Sequence, residues 1–152
     1  MAYSTLRRSL AEPNCRTYFG GSLLAWTGMW MQRVAVGWMA WELAESTFWI
    51  GVVAFADLVP AIVVSPLAGA IADRADRLRL TVGTQLANIA QAMVLAILAA
   101  AHLLNIHVLV LLALILGITG AFAQPARQSM VPALVPRELL PSAVALNSLT
   151  FN

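Results

Sequence analysis

The sequence contains no lysine, one cysteine and two histidines among its 152 residues. A lone Cys15 excludes an internal disulfide and any CxxC metal site. His102 and His107 are five residues apart, a spacing that does not stack them on one helix face, and no carboxylate lies near them in sequence. Charge of either sign is scarce. Asp, Glu, Lys and Arg together make 11% of the chain, against roughly 25% in a soluble domain. The nine basic residues are all arginines. They sit in short clusters between apolar runs, without the aromatic interleaving of a base-stacking surface, so the high pI of 9.3 does not point to nucleic acid. No nucleophile–base set, metal cluster or phosphate loop stands out, and the expectation is a protein that is no enzyme and carries no cofactor.

What is present is apolar, 61% of the residues against roughly 45–50% in soluble domains. A hydrocarbon core about 30 Å thick takes around 20 apolar residues in a helix. Four runs meet that length, at about 19–41, 48–72, 80–101 and 106–123, and a fifth begins near 142 and reaches 152. The first is too long, and too rich in tryptophan, for the short apolar core of a cleavable signal peptide. Backbone groups in lipid must pair within their own segment, and long Ala/Leu-rich runs argue against barrel strands. The expected fold is therefore an all-α, polytopic transmembrane helix bundle whose partner is the lipid bilayer. Residues 1–18 read as a tail, and 19–152 as part of a larger bundle cut within its fifth helix; the expectation is a truncated fragment.

The connections alternate in chemistry. Arg7, Arg8 and Arg16 precede the first run, Arg74, Arg77 and Arg79 lie between the second and third, and Arg127 and Arg137 lie between the fourth and fifth. The other two connections hold Glu42 and Glu45, then His102, Asn105 and His107, with no arginine. The positive-inside rule makes the arginine-bearing side cytoplasmic, with the amino terminus inside and the chain in an inner or plasma membrane.

Two ionisable residues lie inside the runs, Arg33 in the first and Asp57 in the second. Such a charge costs roughly 2.5–3.5 kcal/mol at the bilayer centre on insertion scales and normally faces the bundle interior. Arg33 lies nine residues before Glu42 and Asp57 nine after Phe48, so antiparallel neighbours place them side by side at one depth. They are either a structural lock between two helices or a pair engaged in substrate or proton coupling. Pro60 and Pro66 deprive the carbonyls of Ala56 and Ile62 of their usual partners and predict a kink or a moving point in the second helix. Ala113, Gly117 and Ala121, with Gly120 beside them, form a small-residue ridge that lets another helix approach closely. Trp38, Trp41 and Trp49 suit an interfacial belt. Trp26 and Trp30, one turn apart and deeper, are candidates for lining a substrate cavity.

The connection after the second run reads Gly69-Ala-Ile-Ala-Asp73-Arg74-Ala75-Asp76-Arg77-Leu78-Arg79. Arg74 follows one helix end and Asp76 precedes the next, each favoured by its helix dipole, and Gly69 permits close contact. This spacing resembles the signature Gly-x-x-x-Asp-Arg-x-Gly-Arg-Arg of the major facilitator superfamily. Gly69, Asp73, Arg74 and Arg77 match, Asp76 replaces the usual glycine, and Arg79 comes one place late. Trp26 to Arg33, Gln124-Pro125-Ala126-Arg127-Gln128, Val131-Pro132 and Asn147-Ser148-Leu149 extend the resemblance to the enterobactin-exporter-like and drug-efflux branch. It implies about twelve helices in two halves, alternating access, commonly proton coupling, and a small siderophore- or drug-like substrate. It also implies charge contacts from Asp73, Arg74 and Arg77 to the other half that hold one access state. On that reading about four and a half helices are present, the carboxyl-terminal half is the missing partner, and the fragment alone does not transport. The alternative is a small four-helix membrane interaction protein that associates through the ridge around Gly117.

Overall fold

In the computed structural model, residues 13–134 are described, and all of their regular structure is α-helix. The four helices are α1 (Pro13–Ala44), α2 (Thr47–Arg74), α3 (Arg77–Ala100) and α4 (Ile106–Leu134). The chain divides into two compact units. One is residues 32–127, which hold the end of α1, all of α2 and α3, and most of α4. The other takes residues 1–31 and 128–152, of which 13–31 and 128–134 are described. The fifth run expected at 142–152, with Arg7, Arg8 and Arg137, lies outside the described residues.

Helix ends depart from the apolar runs in both directions along the chain. α1 is already helical at Pro13, inside the expected tail. α4 continues to Leu134, beyond the apolar stretch that stops near Ala123. Hydropathy marks where lipid can lie, whereas a helix extends wherever its backbone stays paired. Composition also separates α1 from the rest. Spans long and apolar enough to cross a bilayer occur in α2 (Thr47–Ala72), α3 (Leu78–Ala100) and α4 (Ile106–Ala123) among the described residues. At 32 residues α1 is long enough, but Gly20, Gly21, Ser22, Thr27, Gln32 and Arg33 dilute its apolar character.

The turns are built from local caps. Asp76 accepts from the backbone N–H groups of Leu78 and Arg79, at 2.9 and 3.1 Å, and starts α3. Asn105 accepts from Val108 N–H at 3.0 Å and starts α4. α3 stops with His102 at φ 55°, where Leu103 N–H reaches the Leu98 carbonyl and His102 N–H the Ala99 carbonyl. This paired closure is the Schellman arrangement, with histidine in the left-handed place that glycine usually fills. Glu45, after α1, is likewise left-handed at φ 46°.

Within residues 32–127 the core is small and alanine-rich, gathering Val36 and Ala40 of α1, Val53 and Ala56 of α2, Leu95 of α3, and Leu109, Leu112 and Ala113 of α4. The large apolar side chains point outward instead, with Val34, Phe55, Ile62 and Leu86 more than half exposed. That inversion is what lipid as solvent permits: helices associate by close packing of small residues, and bulky apolar groups meet the acyl chains.

Candidate functional site

The polar groups inside the residue 32–127 unit lie on all four helices. Arg33 on α1 meets Asp57 on α2 with two nitrogens against two oxygens. Its Nε is 2.8 Å from Oδ2 and its Nη2 donates to Oδ1 at 3.3 Å. The Asp57 side chain is 13% exposed and that of Arg33 32%. One hydrogen bond, from Nη2, and the close Nε–Oδ2 ion contact join the two side chains. The matched depth read from sequence thus corresponds to direct contact.

Beside it, Gln32 donates from Nε2 to Gln91 Oε1 on α3 at 2.6 Å. Gln91 is buried and donates in turn to the Leu112 carbonyl on α4 at 3.1 Å. Successive residues on a helix project about 100° apart. Gln32 and Arg33 therefore serve two different neighbours, α3 and α2. One turn along the α3–α4 seam, Thr119 donates to Asn88 Oδ1 at 2.5 Å. Sequence reasoning missed Gln91, Asn88 and Thr119, because a search for ionisable groups passes over neutral amides. An isolated Gln in the middle of an Ala/Leu-rich run was the available signal.

The fourth contact joins α2 to α4 through backbone. A Cβ added at Gly117 would overlap the Asp57 carbonyl oxygen and lie 2.9 Å from its carbon and 3.0 Å from Pro60 Cγ. The small-residue ridge of α4 thus packs on α2 at the residue that carries the ion pair, with Ala113 and Ala121 buried on either side. Gly69, where close contact was expected, differs: a Cβ there meets nothing within 4 Å among the described residues. Ala68 and Ala72 are the buried small residues of that stretch, and Gly69 lies to one side of them. α2 remains helical through both Pro60 and Pro66, and Pro60 is buried against α4.

Trp26 and Trp30 lie in the other unit, one turn apart on α1, Trp26 half-buried and Trp30 exposed. In the α2–α3 turn, Arg74 ends α2 and is exposed, Asp76 caps α3, and Arg79 Nε is 4.0 Å from Asp76 Oδ2. Asp73 and Arg77 occupy the last turn of α2 and the first residue of α3. Their side chains, and so the gating contacts expected of them, lie outside what is described. Among the described residues no group of three or more His, Cys, Asp or Glu is placed to hold a metal ion.

Compared with known proteins, residues 6–152 match the major facilitator family described as transmembrane secretion effectors. The chain belongs to the major facilitator superfamily. It is also 30% identical over 138 residues to the staphyloferrin A transporter of Staphylococcus aureus (strain NCTC 8325 / PS 47). That match covers 89% of this chain and 34% of the relative, so the chain spans about a third of the length of the curated relative it matches. No solved structure matches. The superfamily placement and the apolar helices together make this a multi-pass membrane protein of the transporter kind. Within that superfamily's loop signature, the departure at Asp76 has a local explanation. A glycine there leaves two α3 N–H groups to find other partners, whereas the Asp76 carboxylate takes both.

Proposed function

We propose that these helices form part of a proton-coupled major facilitator exporter of a small, siderophore- or drug-like molecule in the cell's inner or plasma membrane. On this reading the amino terminus is cytoplasmic, and Arg33 and Asp57 take part in coupling. The observation that carries the reading is the ion pair itself: two opposite charges in contact among apolar helices. Charged side chains inside a membrane span commonly mark substrate, ion or proton pathways. Similarity to a protein named for staphyloferrin A transport supports the siderophore-like class. The path needs helices beyond those described, because transporters of this kind place the substrate between two halves. Trp26 and Trp30 would then offer apolar walls, and Asp73, Arg74 and Arg77 would brace the loop against the other half.

The interaction-protein alternative loses its main support. The ridge it would use is occupied within the chain, where Gly117 meets Asp57 and Pro60. The test is export from cells carrying the longer transporter that contains these residues. Accumulated siderophore- or drug-like compound should leave faster than from vector-only cells, and collapse of the proton gradient should abolish the difference. Residues 1–152 expressed alone should give no export. Export that is indifferent to the gradient would contradict proton coupling, and vigorous export by the 152 residues alone would contradict the need for a second half.

A further inference from the structure

Gln32 and Arg33 are consecutive on α1, so a roll of the helix that moves one moves the other. Arg33 meets Asp57 on α2, and Gln32 donates to Gln91 on α3 at 2.6 Å. Gln91 is 4% exposed and donates in turn to the Leu112 carbonyl on α4 at 3.1 Å. Five residues along α4, about 7.5 Å on its axis, Gly117 leaves no room for a Cβ beside the Asp57 carbonyl and Pro60. These contacts close a circuit. It runs from α1 to α2 through the ion pair and from α2 to α4 at Gly117. It then passes from α4 to α3 through the Leu112 carbonyl, and back to α1 through the two amides. Asp57 and Gln91 stand at opposite corners, each joined to both α1 and α4.

The two corners act on α1 in different ways from an apolar seam. Apolar attraction is non-directional and leaves the roll of a helix about its own axis weakly specified. A hydrogen bond weakens steeply as it bends, so it specifies roll as well as separation. The Gln91 amide accepts from Gln32 at its oxygen and donates to Leu112 from its nitrogen, so both ends of the group are held. Its burial makes those partners worth more than they would be in water. The lever arm is long enough to matter. A roll of about 20° carries a side-chain head about 6 Å from the axis through about 2 Å. Such a shift would part Arg33 Nη2 from Asp57 Oδ1, which are 3.3 Å apart. The neighbouring contact of Asn88 with Thr119 joins α3 to α4 and does not reach α1.

We propose that Gln91 is a positioning residue for the Arg33–Asp57 pair, fixing through Gln32 the roll of α1 that aims Arg33 at Asp57. Its bearing on export rests on the coupling role proposed above, whereas its effect on Arg33 does not.

The test therefore reads Arg33 itself, in the full chain with nitrogen-15 arginine in maltoside micelles. Nine arginines are present, and the Arg33 Nε–H cross-peak is the one that disappears in Arg33→Gln. Asp57→Ala gives the position of that cross-peak when the partner is gone. Gln91→Leu and Gln32→Leu should each move it from the wild-type position toward the Asp57→Ala position. The double variant brings two leucines together, and it should keep the displacement even where stability is partly restored, because leucine contact does not specify roll. Asn88→Leu removes the neighbouring hydrogen bond without touching α1 and should leave the cross-peak in place. If Gln91→Leu fails to fold, Gln32→Leu carries the same expectation from the half-buried side of the contact. Three results would overturn the proposal: an unmoved cross-peak in Gln32→Leu, an equal movement in Asn88→Leu, or a return to the wild-type position in the double variant. A displaced cross-peak in Gln91→Leu, with normal export by the longer transporter carrying that change, would support the positioning and count against the coupling role.

Discussion

Two glycines three residues apart on α4 should respond oppositely to one methyl group. At Gly117 an added Cβ overlaps the Asp57 carbonyl oxygen and comes within 3.0 Å of Pro60 Cγ, so the atoms in its way are backbone and a rigid ring. At Gly120 the same Cβ meets nothing within 4 Å. Alanine in a helix is favoured over glycine by about 1 kcal/mol. Overpacking a close contact costs about 1–3 kcal/mol, and here neither neighbour can rotate away. Gly117→Ala should therefore lose up to about 2 kcal/mol net, while Gly120→Ala should be neutral or gain up to about 1 kcal/mol. Reversible unfolding in mixed micelles, followed by tryptophan fluorescence, reads both. Equal stability of the two variants would refute the α2–α4 contact at Asp57, and with it the claim that α4 braces the ion-pair segment.

Further outcomes follow from the same geometry. Gln91→Leu should lose about 1–2 kcal/mol, since membrane hydrogen bonds average about 0.6 kcal/mol with a maximum near 1.7 and two are removed. Adding Gln32→Leu should restore part of that loss, and simple additivity would argue against the Gln32–Gln91 contact. Asp76→Ala should cost about 1 kcal/mol of stability and Asp76→Gly only a few tenths, the order expected of a helix cap; equal losses would remove Asp76 from that role. Reporter fusions at Glu45 and Asn105 should report the outer side and those at Ala75 and Arg137 the cytoplasm, with an outside signal at Ala75 reversing the proposed orientation.

The sequence made some of this legible and hid the rest for physical reasons. The helical identity of the described residues was readable because lipid leaves the backbone few alternatives, and α2 to α4 fall close to their apolar runs. The Arg33–Asp57 contact followed from counting residues inward from a shared turn, since rise per residue is constant along a helix. That helix reaches as far as Pro13 and Leu134 was not readable, because hydropathy reports solvent and not hydrogen bonding. Spacing identified the Gly117 ridge as a close-packing surface but could not name its partner, which proved to be the backbone of Asp57 and the ring of Pro60. At Gly69 the described residues supply no such partner, since a small residue permits close approach without requiring it. Gln91 went unnoticed because its value lies in two partners on other helices, Gln32 and Leu112, which no local pattern announces.

The central claim is that Arg33 and Asp57 do more than hold α1 to α2, and a double-mutant cycle read in stability and transport together tests it most directly. Breaking a buried pair typically costs about 3–5 kcal/mol, and the partial exposure of Arg33 lowers the expectation to about 2–3 kcal/mol for either Arg33→Gln or Asp57→Asn. The double substitution, with no lone charge left, should recover much of that stability. In the longer transporter, proton-driven export should stay lost in all three variants. Export returning together with stability in the double variant would show a lock between two helices and contradict the coupling role.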